Sequence, residues 1–179
     1  MSNLRLIKQT ATASGITSVS MTDVFSSDFD VYCVTVAQTT YDVTNTGVIA
    51  LKLRFINSSG SIISASNYDS ANMHMKAEAN KDEDKFQNLS YSYSGAIIGN
   101  YENGGGVHWI YNPYQSDTYS FVSFEGGGGY DTSNNRMRSQ KGIGVLKQTA
   151  SMTGVNFYSS DTSNTFSAYV TVYGLRVDS

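Results

Sequence analysis

The sequence has little cysteine, little proline and little charge. Its 179 residues include one Cys and one Pro, and charged residues make up 15%, against roughly 25% in an average soluble protein. A single cysteine excludes a disulfide within the chain. Because Cys33 lies in an apolar, strand-like stretch, we predict a small buried side chain there rather than a reactive thiol.

Basic clusters and long hydrophobic runs are also missing. The twelve Lys and Arg are dispersed and the net charge is −3, which argues against a nucleic-acid partner. No stretch approaches the roughly 18 apolar residues of a membrane-spanning helix, and the N-terminus has no basic region followed by an apolar run. We therefore expect no membrane insertion and no secretory signal.

What the sequence does have is strand-forming and turn-forming residues. It contains 13 Tyr, 8 Phe and 16 Gly, a composition that favours strands and turns over helices. The spacing of the alternating segments predicts about ten strands. We predict an all-β fold, a jelly-roll-like antiparallel β-sandwich, with residues 1–179 forming a single domain.

The clearest strand pattern lies near the C-terminus. Phe166, Ala168, Val170 and Val172 alternate with Ser, Tyr and Thr side chains, and a period of two is typical of a strand with one buried face. We therefore predict a core strand there, and we expect the domain to end with it.

Other segments are assigned by the same pattern. Leu51 and Leu53 alternate with Lys52, which predicts one buried face and one face in water. Residues 57–60 are typical of a hairpin loop that leads into a returning strand over residues 61–66.

Two polar or glycine-rich regions are harder to assign. We predict a strand over residues 72–77, although the helix formers between 71 and 86 also permit a helix. The polar run 79–85 is interpreted as an exposed loop. The glycine runs 104–106 and 126–129 are interpreted as flexible tips or as places where another backbone passes close.

No metal or cofactor site is predicted. His74 and His108 lie on what we interpret as the polar registers of their strands, and the chain has too few His and Cys residues for a four-ligand zinc site. Residues 82–84, Asp-Glu-Asp, lack the spacing of a calcium loop and fit a solvated acidic turn.

No catalytic motif stands out. The glycine runs lack the spacing of phosphate-binding loops, and the G-x-S-x-G pattern of a nucleophile elbow is missing. Glu125, beside the second glycine run, is the one carboxylate we single out as a candidate for glycoside hydrolysis. We predict that the protein is not an enzyme.

Aromatic side chains crowd among Gly, Asn and Ser between residues 100 and 130. Such a mixture gives rigid, amphipathic contact area in binding surfaces, although the same residues could belong to a core or a subunit interface. The candidate contact surface consists of Tyr101, Trp109, Tyr111, Tyr114, Tyr119 and Tyr130.

Three stretches together resemble small structural proteins of tailed bacteriophages. They are Phe29-Asp-Val-Tyr32, Leu51-Lys-Leu-Arg-Phe55 with the Ser58-Ser-Gly60 and Asn67-Tyr-Asp69 that follow, and Tyr169-Val-Thr-Val-Tyr-Gly-Leu175. Phe29 stands where that group usually has tyrosine. The resemblance implies a β-sandwich on the virion exterior, in tail, fibre or capsid-surface positions, with no catalytic residues.

Composition and resemblance together lead to one expectation and two alternatives. We expect a non-enzymatic virion protein, assembled in the host cytoplasm, that forms homotrimers and acts as a tail-fibre or host-contact component for viral attachment. Its partners would be other tail or capsid proteins and a host surface glycan or receptor. The first alternative is a capsid decoration (cement) protein, and the second is a carbohydrate-binding or carbohydrate-active protein.

Overall fold

A computed structural model of the chain describes residues 3–42, 49–76, 82–98, 104–131, 136–159 and 165–176. Within these ranges every regular element is a β-strand, and no helix is long and apolar enough to cross a membrane. The strands are β1 (Leu4–Gln9), β2 (Ala13–Ile16), β3 (Ser18–Met21), β4 (Val31–Asp42), β5 (Ile49–Asn57), β6 (Tyr68–Lys76), β7 (Asp82–Leu89), β8 (Ser92–Ile98), β9 (Gly105–Tyr111), β10 (Ser120–Asp131), β11 (Arg136–Leu146), β12 (Met152–Ser159) and β13 (Thr165–Leu175).

The strands form two antiparallel sheets. The large sheet has nine strands in the order β1-β13-β4-β9-β10-β11-β6-β7, with β2 also pairing with β13, and the small sheet has four in the order β3-β12-β5-β8. One hydrophobic core joins side chains from both sheets. The predicted all-β, antiparallel sandwich class is thus confirmed, with thirteen described strands rather than about ten.

The C-terminal strand β13 lies in the large sheet between β1 and β4. Phe166, Ala168, Val170 and Val172 are all buried, as their alternation predicts. Cys33, on the neighbouring strand β4, is also buried and free, and burial raises the pKa of its thiol. Both expectations are confirmed, and the buried thiol is a poor nucleophile.

The glycine-rich segments belong to strands and are not flexible tips. Gly105 and Gly106 lie in β9, and residues 126–129 lie in β10. A Cβ atom added at Gly126 would run into the carbonyl oxygens of Gly95 and Gly105. The alternative interpretation, close approach of another backbone, therefore holds at Gly126, where a larger residue would force the two sheets apart.

Two further local predictions are wrong. Residues 61–66 do not form a returning strand, and only an isolated bridge joins Ile62 to Ile56. The described part of the polar run 79–85 begins strand β7 instead of a loop, since Asp82 is its first residue. An edge strand has one partner and little core contact, so it can form without an apolar pattern.

The interpretation of Lys52 as a water-facing residue is also wrong. Its side chain is buried, and the ammonium lies 3.4 Å from the ring centroid of Tyr93 and 4.8 Å from that of Tyr91. Burial lowers the pKa of Lys52 to about 8, against a smaller opposing effect of Asp84. Cation–π interactions with the aromatic rings offset part of the hydration that the ammonium has lost.

On strands β6 and β9, the apolar and polar registers face the opposite way to the prediction. Val107, Trp109 and Tyr111 point away from the core, whereas His108 between them is completely buried. On β6, His74 shares its face with the buried Asn72. The apolar register of these strands therefore lies on the outer face of the large sheet, the face turned away from the small sheet.

Candidate functional site

Rows of side chains cross the outer face of the large sheet because partner residues in neighbouring strands point the same way. One row runs from Val107 through Glu125, Lys141 and Met73 to Glu83. The pairing is continuous over strands β9, β10, β11, β6 and β7. Residues far apart in the sequence thus become neighbours on one surface.

The next row carries the tryptophan. It runs from Cys33 through Trp109, Ser123 and Ile143 to Ala71. Trp109 is the only tryptophan in the chain. Ile143, at 62% exposed, is among the most exposed large apolar side chains of the described residues.

A groove follows these rows. Its central cavity, about 910 Å³ in volume, is lined by Trp109, Glu125, Lys141 and Ile143 among others. A cavity of about 460 Å³ continues it toward the glycine-rich parts of β9 and β10 and shares Val107 and Glu125 with it. Because neighbouring cavities share walls, we treat them as one depression.

The opposite end of the depression is a smaller cavity of about 250 Å³, which shares Ala71, Lys85 and Ile143 with the central one. Phe121, 47% exposed, lies in its wall. We call the whole depression the outer-face groove. It crosses strands β4, β9, β10, β11, β6 and β7.

The outer-face groove combines apolar and charged side chains. Met73 and Ile143 offer apolar surface, while the exposed Glu83, Glu125 and Lys141 offer carboxylates and an ammonium. Such a mixture suits a ligand that has apolar faces and many polar groups. The two signs of charge are interspersed, so the groove does not select for a highly charged polymer.

The predicted contact residues fall into three sets. Trp109 lines the groove, and Tyr111 stands beside it with its hydroxyl 3.2 Å from the Ser123 hydroxyl. Tyr114 and Tyr119 are exposed in the connection between β9 and β10, outside the cavities described above. Tyr101 and the side chain of Tyr130 lie outside the described residues.

Sequence reasoning missed most of the groove. Lys141 and Ile143 lie on β11, where each is followed by a glycine, Gly142 and Gly144, so the segment has no apolar alternation. The available signal was the alternation of these two residues with glycine. When glycines occupy one register of a strand, the larger side chains of the other register can face outward. Glu83 was missed because its segment was interpreted as a loop.

Glu125 does line the groove, but along its row the described residues place no second carboxylate at a hydrolase distance from it. The nearest acidic residue along its row is Glu83, three strands away. Three strand spacings are about 14 Å, compared with roughly 5 to 9.5 Å between the two carboxyl groups of glycoside hydrolases. The cross-strand partner of Glu125 is Lys141, an opposite charge.

His108 is not available to a ligand. Its Nε2 lies 2.6 Å from the Ser94 carbonyl oxygen and its Nδ1 lies 3.0 Å from that of Val34. Burial lowers the pKa of His108 to about 4, although the two carbonyl contacts oppose this shift. The ring is neutral near pH 7 and serves the core, where it packs against Phe157.

No protein-family model and no curated protein matches the chain. Among solved structures, it is similar to family 7 alginate lyase A1-II′ in complex with substrate, at 8% sequence identity and a TM-score of 0.28. This match covers 84% of the present chain and 64% of the lyase chain. A structure of the same lyase with product gives 13% identity and a TM-score of 0.26, and the chain spans 63% of it. These values are too low to carry an argument about function.

Proposed function

We propose that the protein is a non-enzymatic carbohydrate-binding module that holds a segment of polysaccharide in the outer-face groove. The observation that supports this most is a continuous depression across six strands with the only tryptophan of the chain in its wall. Five strand spacings give it a length of roughly 24 Å. A groove of that length suits a linear chain of several sugar units better than a compact metabolite.

The chemistry of the groove fits a sugar chain. Pyranose rings have apolar C–H faces, which pack on aromatic and aliphatic side chains such as Trp109 and Ile143. Their hydroxyl groups both donate and accept hydrogen bonds, so the Glu125 carboxylate and the Lys141 ammonium can each take part. Charge-assisted hydrogen bonds of this kind are among the stronger ones in proteins.

The proposal that the protein binds a glycan without cleaving it rests on the positions of the acidic residues. Glu125 faces Lys141, and Glu83 is too distant to act as its partner in hydrolysis. His108, next to Trp109 in the chain, is enclosed by the core. Within the described residues, the groove thus offers positions for holding a sugar but no acid and base at working distance.

The sequence resemblance supplies a setting for this module. We place it on the outside of a tailed bacteriophage particle, as a tail-fibre or host-contact protein that binds host surface glycan. Capsid decoration is the competing position. Locating the protein on purified particles distinguishes the two, since host contact requires a small fixed copy number at the tail and decoration requires many copies over the head.

The binding proposal is tested by applying the untagged chain to an array of bacterial polysaccharides and oligosaccharides. We expect binding to a subset of linear glycans and a loss of about tenfold or more on Trp109→Ala. Ile143→Asp, at a position with little burial to lose, should block the groove without unfolding the sandwich. Tyr114→Ala is the matched aromatic control outside the groove and should bind normally.

Three outcomes would contradict the proposal. One is glycan binding that Trp109→Ala and Ile143→Asp leave unchanged. Another is release of shortened glycan by the wild-type chain, which would make it an enzyme. The third is an oligomer in which Trp109 is shielded from acrylamide quenching, since the outer face would then be a subunit interface.

A further inference from the structure

A small residue interrupts the tryptophan row of the outer-face groove. Ser123 on β10 lies between its cross-strand partners, Trp109 on β9 and Ile143 on β11. All three residues line the central cavity, and Ile143 is 62% exposed. A small side chain between two large ones leaves a gap with an aromatic wall on one side and an aliphatic wall on the other. We call this gap the Ser123 slot.

The width of the Ser123 slot follows from the spacing of the strands. Neighbouring strands are about 4.8 Å apart, so β9 and β11, which carry the two walls, lie about 9.6 Å apart. A group that touches apolar atoms on both sides needs roughly 7 to 8 Å between those atoms. The slot therefore has room for one flat substituent of a sugar, while the sugar ring itself stays in the groove above it.

Two hydroxyl groups meet at the floor of the slot. Ser123 Oγ lies 3.2 Å from Tyr111 Oη, and either hydroxyl can be the donor. Within the described ranges, neither hydroxyl has a second hydrogen-bond partner. Their mutual hydrogen bond uses one of the two hydroxyl protons. The pair is left with one proton to donate and with lone pairs that can accept.

An acetamido group matches both the walls and the floor. Its methyl group packs on the apolar walls, its carbonyl oxygen accepts the remaining hydroxyl proton, and its N–H donates to a hydroxyl lone pair. A plain sugar hydroxyl offers nothing to the walls. A bare methyl group contacts the walls but leaves the floor hydroxyls without their water. A carboxylate would lose hydration between the walls, and Lys141 in the next row already faces Glu125.

We propose that the Ser123 slot holds an acetamido group, so that the outer-face groove selects polysaccharides built from N-acetylated amino sugars. This assignment rests on the proposed carbohydrate-binding function and narrows it to one class of ligand. Glu125 and Lys141 lie in the neighbouring row, about 7 Å along the strands, where they can bind ring hydroxyls. Ser123 is then the residue that determines specificity.

The test compares glycans that share a backbone and differ in one substituent. The array carries β-1,4-linked hexasaccharides of N-acetylglucosamine, glucosamine and glucose, which differ at carbon 2 alone. Every other glycan that the untagged full chain binds is tested again after de-N-acetylation and after re-N-acetylation. Among the glycans that bind, we expect the acetamido form to bind about 30-fold more tightly than the amine or hydroxyl form. Re-N-acetylation should restore the affinity.

Two variants of Ser123 separate specificity from folding. Ser123→Val fills the slot and should reduce the preference for the acetamido form to about threefold or less. Ser123→Ala removes only the hydroxyl and should weaken binding of the acetamido form about three- to tenfold. Ser18→Val is the matched control, because Ser18 is exposed on β3 of the small sheet; it should keep the full preference.

Circular dichroism checks that the variants fold, and if Ser123→Val does not, Ser123→Ala carries the test. Equal affinity of the wild type for acetamido and de-N-acetylated forms overturns the assignment of the slot and leaves the carbohydrate proposal unaffected. So does a full preference for the acetamido form in the folded Ser123 variants. Binding to no glycan on the array contradicts the carbohydrate proposal itself, and the assignment of the slot falls with it.

Discussion

Glu125 on β10 and Lys141 on β11 are direct cross-strand partners, so a carboxylate and an ammonium share the wall of the outer-face groove. Both side chains are exposed. Opposite charges directly across an antiparallel pair stabilise a sheet by only about 0.2–1 kcal/mol. The pair therefore contributes little to stability, and under the carbohydrate proposal both charged groups remain available to a ligand.

The first prediction follows for Glu125→Gln. The change should lower the free energy of unfolding by less than about 1 kcal/mol, since it removes only an exposed charge. It should weaken glycan binding about tenfold, because a hydrogen bond to a charged group is worth more than one to a neutral amide. Urea unfolding and isothermal titration calorimetry measure the two effects. A variant that binds as tightly as the wild type would remove Glu125 from the site.

The second prediction concerns the close packing around Gly142 within the large sheet, where β11 lies between β10 and β6. A Cβ atom there would collide with the Ala71 carbonyl oxygen and lie 2.6 Å from the Phe124 ring. Gly142→Ala should therefore destabilise the fold by roughly 1–3 kcal/mol. Gly127→Ala, where the nearest atoms are those of the Ser139 side chain at 3.1 Å, should cost less. Equal unfolding midpoints in urea would show that Gly142 is not closely packed against β6 and β10.

The third prediction is a pH dependence of stability caused by His108. Burial lowers its pKa in the folded chain to about 4 from an ordinary value of 6.5, so between these values the unfolded chain binds more protons. The stabilisation is fully present above pH 6.5 and is lost as pH falls toward 4. The total loss is about 3 kcal/mol.

Unfolding free energies of the wild type between pH 4 and 7.5 check this slope. His108→Gln, which has no ionisable ring, should flatten it. His74→Gln, the matched histidine change, should leave the His108 contribution in place. A wild-type slope that survives in His108→Gln would mean that another group controls acid unfolding.

The fourth prediction concerns Tyr68, which is completely buried. Its hydroxyl accepts a hydrogen bond from the Phe55 N–H and donates one to the Ile63 carbonyl, both at 3.0 Å. Tyr68→Phe leaves these backbone groups without their partner and should cost roughly 1–3 kcal/mol. Tyr111→Phe, which removes an exposed hydroxyl, should change the free energy of unfolding by less than about 0.5 kcal/mol. Similar costs for the two variants in urea unfolding would contradict the assignment.

Tyr68 also illustrates which parts of the fold the sequence could predict. Strands such as β13 have a strict period of two and a fully buried face, and Phe166 and Val172 are assigned correctly from that alone. The segment around Ile63 cannot be assigned this way, because its backbone hydrogen bonds go to a side chain and to a single bridge. Only the folded structure shows that the Tyr68 hydroxyl, and not a neighbouring strand, donates to the Ile63 carbonyl.

The groove was hidden for a different reason. Apolar alternation was assigned to the core, but on β9 the apolar register, with Val107 and Trp109, faces outward and the register with His108 faces inward. A period of two shows that the faces differ and does not show which one is inside. The buried histidine is possible because a backbone carbonyl, of β4 at Nδ1 or of β8 at Nε2, accepts the one N–H of the neutral ring.

The central claim, that the outer-face groove holds a glycan, is tested most directly by the fluorescence of Trp109. It is the only tryptophan in the chain and lines the groove, so its emission reports on that surface alone. Titration with a glycan selected on the array should give a saturable change in emission whose Kd agrees with calorimetry. Calorimetric binding with unchanged Trp109 emission and unchanged acrylamide quenching would contradict the account, because the ligand would then sit elsewhere.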